Sequence, residues 1–425
     1  MLWWQNTKDF INIGEIMVLL IYNNACKLST VLSAFLEISH KEFEKIYVVF
    51  PNQYDAQKDY NDFGGKVEFI TPVKKHSLSV YLKTFLQLLS ADVIKDFLHA
   101  IKRKKMGASY IKRYINTLIT ANVLYNASSD VLEKNKENIC VFSTWYSANA
   151  VAAAKAKKLY PDIFSASYAH SYEVDFRKNN FTTLVCDRFK EKYLDEVYFI
   201  SEMVMDEYIE RNKAVLSFTD KYKAIHFGSR KKRDELSASS SDGTFRIVTC
   251  SGISPVKRLH ILAEALSLYK GNTPVEWTVL GNGPDMDKVK AIAENVKANN
   301  VSIIFKGSVS NDDVHNFYAE NPVDLFVNVS ESEGLPVSIM EAMSYAIPSL
   351  ATDAGGNHEI VTEKTGYPIS LEITPDFLCK KITEIVENRG LCKEKRADAY
   401  EMWSNNYRIE ENVIKVLERL KKGND

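Results

Sequence analysis

Cysteine is scarce and scattered: six in 425 residues, none in a C-x-x-C pair or at a Cys/His spacing that would bind a metal. Cys26, Cys140, Cys186, Cys250, Cys379 and Cys392 therefore read as reduced, largely buried residues of a cytoplasmic chain. Long hydrophobic runs are missing too. The apolar stretch Ile16 to Tyr22 stops at Asn23-Asn24, far short of the roughly twenty residues a membrane span needs, and no positive start or small-residue cleavage site marks a secretory signal. Net charge is nearly absent, with 54 Lys and Arg against 55 Asp and Glu, which excludes an overall nucleic-acid footprint. What is present is 45% hydrophobic and 26% charged residues, the composition of a soluble globular protein. The length suggests two α/β domains.

Strand-length apolar runs recur with helical patterns between them: Ile16 to Tyr22, Ile46 to Phe50, Val67 to Ile70, Ile139 to Ser143, Ile163 to Tyr168 and Val197 to Ile200. Continuous rather than alternating runs predict a parallel sheet covered on both faces. An N-terminal doubly wound domain over 1–235 follows, with a strandless, helical insert over about 77–137. That insert is locally basic, at Lys102-Arg103-Lys104-Lys105 and Lys112-Arg113: either a solvated helix face or a patch for anionic lipid, a peripheral contact on the inner face of the cell membrane. Polar residues from Ser229 to Gly243 read as the linker, its basic half as a solvated hinge. The alternation restarts at Arg246 to Cys250, Trp277 to Leu280, Ser302 to Phe305, Asp324 to Val329 and Ser349 to Thr352, giving a second α/β domain over 242–405. A closing helix, Ile409 to Lys422, lies in a 406–425 segment expected to pack back on the first domain.

In such sheets ligands sit outside the carboxyl ends of the strands. After the strand ending near Val329, the run Ser330 to Met343 sets Glu333 and Glu341 eight positions apart around Gly334-Leu335-Pro336. Pro336 is expected as the first helical residue, so the free amides of that turn form an anion site. Two carboxylates beside a phosphate would repel it unless they reach past it to hydroxyl groups. A ligand carrying both is a nucleotide sugar. Three neighbouring loops fit the same ligand: Ser251 to Leu259 offers Lys257 and Arg258 to phosphate, Gly281-Asn282-Gly283-Pro284 lets backbone approach a flat base, and Lys306-Gly307-Ser308-Val309 could read a base edge. Gly355-Gly356 implies a special backbone geometry beside the Glu333 loop, and His358 reads as a helix-start residue.

The pattern Glu333 to Met343, followed by Pro348 and Gly355-Gly356, resembles the E-x7-E signature of the group 1 (family 4) retaining glycosyltransferases, and the Lys257 and Gly281 to Pro284 loops extend the likeness. The resemblance implies the GT-B fold, two facing Rossmann-like domains, and transfer of a sugar from a UDP- or GDP-linked donor to a saccharide or lipid-linked saccharide acceptor in cell-surface polysaccharide synthesis. By resemblance Glu333 contacts the donor sugar, Gly334, Leu335, Pro336 and Val337 hold the diphosphate, Glu341 takes ribose hydroxyls, and Lys257 neutralises phosphate. Gly252, Arg258, Gly281, Gly283, Ser308 and Val309 complete the expected donor site. His170 matches the family's strand-end histidine near the transferred sugar, with Glu173 or Asp175 toward the acceptor and Arg177 as a partner for that acid. No cofactor is implied and metal independence is expected. Two departures stand out: the family's phosphate-binding arginine falls on Gly252, and the first loop, Tyr22 to Lys27, lacks the usual glycine pair. The alternatives are a nucleotide-sugar epimerase or sugar phosphorylase of the same fold, or a catalytically silent sugar-nucleotide-binding subunit.

Overall fold

The computed structural model describes residues 17–23, 30–52, 63–72, 77–102, 106–174, 185–213, 216, 219–294, 296 and 300–423. Two wholly parallel sheets carry it. The first has seven strands, β1 (Val18–Tyr22), β2 (Lys45–Val49), β3 (Val67–Ile70), β4 (Ile139–Ser143), β5 (Phe164–Ala169), β6 (Glu196–Phe199) and β7 (Tyr222–Ala224), in the order 3-2-1-4-5-6-7. The second has six, β8 (Phe245–Cys250), β9 (Val275–Leu280), β10 (Val301–Gly307), β11 (Leu325–Asn328), β12 (Ser349–Thr352) and β13 (Gly366–Ile369), in the order 10-9-8-11-12-13. Both orders reverse direction at a central pair, β1/β4 and β8/β11, and these switch points are where a doubly wound sheet opens a crevice.

The apolar runs become the central strands because helices bury both of their faces: β1 and β4 are buried at every residue. β7 and β13, not foreseen in the sequence, are edge strands of three and four residues. Pro368 in β13 is tolerated because an edge strand need not donate on its outer side.

The insert is three helices, Leu78–Leu88, Ala91–Lys102 and Ala108–Asn135. The third covers one face of the first sheet, burying Tyr114, Leu118, Leu124 and Leu132 in one cluster with Leu20 and Val141, and Tyr22 Oη and Ser128 Oγ share a 2.8 Å hydrogen bond. The helix Ile409–Lys422 lies against the other face, its Val413, Val416 and Leu420 in one cluster with Phe35 and Phe142.

The chain crosses between the two units twice, and the crossings pair: Ser229 N donates to Tyr407 O at 2.8 Å and Ile409 N to Ser229 O at 3.2 Å. Gly228, at φ +92°, lies so close that a Cβ would overlap the Tyr407 carbonyl. The basic linker is not simply solvated. Arg230 pairs with Glu410 at 2.8 Å and with Glu37, and Lys232 with Asp312 at 2.9 Å, so the hinge is tethered on both sides.

Candidate functional site

The crevice at the β8/β11 switch point is built from four loops that hydrogen-bond one another. Ser251 N donates to Leu280 O, Ile253 N to Asn282 O, Gly281 N to Gly307 O and Glu331 N to Val256 O, at 2.8–3.1 Å. Close approach explains the glycines. A Cβ on Gly281 (φ +136°) would overlap the Ser251 carbonyl, and one on Gly283 the Ile253 carbonyl. Gly355 (φ +58°) sits against the Glu333 carbonyl and Gly356 N donates to Gly334 O at 2.8 Å, so the glycine pair fixes the height of the Glu333 loop. Gly252 differs: a Cβ there meets nothing within 4 Å.

Glu333 is only 9% exposed. Its Oε1 accepts from Lys257 Nζ at 2.6 Å, Ser330 Oγ at 2.6 Å and Asn328 Nδ2 at 3.1 Å. Among the described residues Oε2 has no partner, so one oxygen is anchored and the other can accept from a ligand. Glu341 follows the same plan. Its Oε1 accepts from Asn311 Nδ2 at 2.7 Å, with His315 Nε2 at 3.8 Å, and Oε2 has no partner among the described residues. Burial raises the Glu341 carboxyl above the usual range, with the Asn311 bond pulling it back. Burial also pushes the His315 imidazole down to about 4, so it is neutral at pH 7.

Pro336 stands one place earlier than expected. It is the N-cap, at φ −75° and ψ 111°, and the helix is Val337–Ser344. Its carbonyl accepts from Ile339 N and Met340 N, so the amides of Val337 and Ser338 are the ones without an intrahelical acceptor. Arg258 is also placed differently from a phosphate ligand. Its left-handed backbone (φ +50°) accompanies a guanidinium bonded to the carbonyls of Val329 at 2.8 Å, Ser330 at 3.1 Å and Leu371 at 3.0 Å. It holds the β11 loop, leaving Lys257 as the cation beside Glu333. Ser308 is exposed and Val309 packs partly on the core, both directly after β10.

One Asp-x-Asp triplet, Asp285-Met286-Asp287, does follow β9 and bears on the expected metal independence. Met286 is buried and Asp287 exposed. No group of three or more His, Cys, Asp and Glu able to hold a metal occurs among the described residues.

On the first sheet, His170 follows β5. Its Nε2 lies 3.0 Å from Thr144 O; a carbonyl only accepts, so Nε2 carries the hydrogen and Nδ1 is left as an acceptor. The ring lies 4.3 Å from that of Trp145, tilted by 34°, and burial lowers its pKa to about 4. Glu173 Oε2 accepts from Tyr146 N at 2.7 Å and more weakly from His170 N at 3.4 Å. Burial outweighs these bonds and raises Glu173 to about 7. Asp175, Arg177 and residues 24–29 of the first loop lie outside the described residues.

Two features had no signal in the sequence. A cavity of about 310 Å³ opens where helix Ala148–Leu159 begins after β4, lined by Ser147 and Ala148 and, from the insert, by Lys112, Arg113, Asn116 and Thr117. The basic insert thus adjoins the β1/β4 switch point. Glu359 ties the two sheets together: Ser201 Oγ and Met203 N, just after β6, donate to Oε1 at 2.6 and 2.9 Å, and His226 Nε2 lies 3.4 Å from Oε2. Because Glu359 itself follows β12, the carboxyl ends of the two sheets face each other.

Two facing Rossmann-like sheets, with a crevice at the switch point of the second, are the GT-B architecture of sugar-transferring enzymes. The family model described as group 1 glycosyl transferases matches residues 231–405. That match spans the second sheet and its helices, and the chain is a glycosyltransferase. It is 24% identical to the O-antigen biosynthesis glycosyltransferase WbnH of Escherichia coli over 262 residues, covering 61% of this chain and 70% of WbnH. Its fold is similar to that of HepE from Anabaena, solved in complex with UDP, with a TM-score of 0.65 at 16% identity over 96% of this chain and 100% of HepE. The lipopolysaccharide outer core galactosyltransferase WaaB gives 0.66 at 14% identity, over 96% of this chain and 100% of WaaB.

Proposed function

We propose that the enzyme transfers a hexosyl group, with retention of anomeric configuration, from a UDP-sugar to a saccharide hydroxyl during cell-surface polysaccharide synthesis in the cytoplasm. The observation that carries this reading is the matched pair Glu333 and Glu341, each with one carboxylate oxygen anchored by protein donors and the other open. Between them the Val337 and Ser338 amides and the Lys257 ammonium form the positive part of the site. A diphosphate there lets Glu333 take sugar hydroxyls and Glu341 the ribose. The O-antigen role of WbnH supports the pathway class, and the HepE complexes with UDP and with UDP-glucose support UDP over GDP.

In this mechanism the amides and Lys257 are fixed before reaction and stabilise negative charge as it grows on the leaving diphosphate. His170 stays neutral and offers Nδ1 as an acceptor near the transferred sugar. Front-face attack accounts for retention: the leaving phosphate accepts the proton of the incoming hydroxyl, and the protein supplies position and charge. We also propose that no metal is required, Lys257 providing the cation.

Purified protein is screened by thermal shift against UDP-, GDP- and ADP-sugars, and the responding donor is then incubated with saccharide acceptors. Stabilisation by a UDP-sugar, an α-linked product from an α-linked donor by NMR, and turnover unaffected by EDTA are expected. A product of inverted configuration would overturn the mechanism, and a response confined to GDP- or ADP-sugars would overturn the donor assignment.

A further inference from the structure

The first two helices of the insert bury Val80, Val93 and Ala100, yet carry a second apolar face that the protein leaves uncovered. On Leu78–Leu88 the polar residues face the protein: Asn122 Nδ2 donates to Thr84 Oγ1 at 3.0 Å and to Gln87 Oε1 at 2.8 Å, and Lys83 Nζ donates to Asn126 Oδ1 at 2.6 Å. The opposite face, Leu78, Leu82, Phe85 and Leu86 continuing to Leu89, is 57–85% exposed. On Ala91–Lys102 the buried side again carries an acid, Asp96, which accepts from Tyr114 Oη at 2.8 Å. Ile94, Leu98 and Ile101, at helical spacing, are 50–60% exposed. Leu78–Leu88 rests on Ala108–Asn135, and Ala91–Lys102 on both that helix and Asp187–Tyr193, each with its exposed apolar stripe turned away.

This exposure is concentrated in one stretch of the chain. Of the nineteen exposed large hydrophobic side chains among the described residues, ten lie between 78 and 111. A patch of that kind marks an interaction surface. Charge decides between occupants. Residues 77–113 hold eight Lys or Arg against two Asp and no Glu, while the whole chain has a net charge of -1. One acid, Asp96, is buried. Arg103, Lys104 and Lys105, three of these eight, lie outside the described residues. Two copies meeting through this face would bring like charge to like charge. An anionic surface with an apolar interior satisfies both halves of the pattern.

We propose that the apolar face of helices Leu78–Leu88 and Ala91–Lys102 seats the enzyme in the headgroup region of an anionic lipid bilayer. With eleven and twelve residues these helices are far too short to span, and no helix among the described residues is long and apolar enough to cross a membrane. They lie in the plane of the interface, the leucine, isoleucine and phenylalanine side chains among the acyl chains and the lysines at headgroup level. Lys112 and Arg113, at the start of the third insert helix, line the cavity beside the β1/β4 switch point.

The test is co-flotation of the full chain with vesicles of phosphatidylcholine alone or mixed with phosphatidylglycerol, at low and high salt. Wild type floats with the anionic vesicles, more weakly with neutral ones and more weakly at high salt. The triple variant Leu82→Ser, Phe85→Ser, Leu86→Ser binds at least tenfold less with an unchanged melting temperature, because these side chains touch solvent in the free protein. Lys102→Gln, Lys104→Gln, Lys105→Gln loses the preference for anionic lipid while retaining weak binding. Wild type that ignores anionic vesicles, or a triple variant that floats as wild type does, overturns the proposal. So does a wild-type dimer that the triple variant converts to monomer, or a triple variant that melts several degrees lower, since either shows the face already covered by protein.

Discussion

Glu333→Gln separates the role of the carboxylate from its shape. Three donors, from Lys257, Asn328 and Ser330, converge on Oε1, so the glutamine must place its carbonyl oxygen there and its amide nitrogen where Oε2 was. The anchored side loses only charge. A hydrogen bond to a charged group contributes about 1.5–3 kcal/mol and a neutral one about 1, so the Lys257 contact weakens by on the order of 1 kcal/mol. For a domain of this size that is roughly 2–4 °C of melting temperature. The ligand side loses more, because an acceptor of sugar hydroxyls becomes a donor facing them. Removing a charge-assisted bond there costs about 1.5–3 kcal/mol, or roughly 10- to 150-fold in kcat/KM at about 1.4 kcal/mol per factor of ten. Turnover is followed as release of the nucleoside diphosphate, and melting by calorimetry on the same preparation. A variant that melts a few degrees lower and turns over at the wild-type rate would refute the reasoning, for Glu333 would then be only the partner that holds Lys257.

Three further outcomes follow from the same geometry. Gly252→Arg adds a cation at a position with open space around its Cβ, and is expected to tighten UDP binding up to about tenfold by calorimetric titration, a charge-assisted phosphate bond being worth about 1.5–3 kcal/mol before the side chain is ordered; unchanged or weaker binding counts against a phosphate at that loop. Gly355→Ala combines a backbone at φ +58° with a Cβ on the Glu333 carbonyl, so activity should fall about 100-fold through displacement of Glu333, whereas Gly252→Ala should be silent; equal effects at the two glycines would contradict the assignment. Burial alone would raise the Glu359 carboxyl, but bonds from His226, Ser201 and Met203 outweigh it and hold it below the usual glutamate range. Its contribution to stability is therefore present above the unfolded carboxylate value and lost as pH falls through the folded one. Glu359→Gln should accordingly lower the melting temperature at pH 7 and converge with wild type in acid, and a difference that persists unchanged into acid would exclude the bridge as its source.

Most of the framework was legible because its signal is local. Buried parallel strands write themselves as continuous apolar runs, and every such run reappears as a strand within one or two residues. β7 and β13 escaped because short edge strands need neither length nor unbroken hydrophobicity. The insert shows the limit of periodicity: the pattern of Leu78, Leu82 and Phe85 establishes a stripe but not its direction, and only Asn122 and Asn126 reaching from another helix show that the polar side faces inward. Asn311, Asn328 and Glu359 were illegible for a related reason. Each comes from a different element than the group it positions, at a separation no spacing rule encodes.

The residue types at the site were therefore a better guide than the roles first attached to them. Lys257 and Arg258 are adjacent cations at one loop, and electrostatics alone treats them alike. Backbone conformation divides them: the left-handed turn at Arg258 accompanies three bonds to the carbonyls of Val329, Ser330 and Leu371, while Lys257 bonds the carboxylate of Glu333. Glycine divides in the same way. Gly281, Gly283, Gly355 and Gly356 each lie against a carbonyl that leaves no room for a Cβ, whereas Gly252 lies against nothing. The four crowded glycines are demanded by how the loops interlock. Gly252 is not, and the absence of an arginine there is a choice about ligand charge that packing leaves open to reversal.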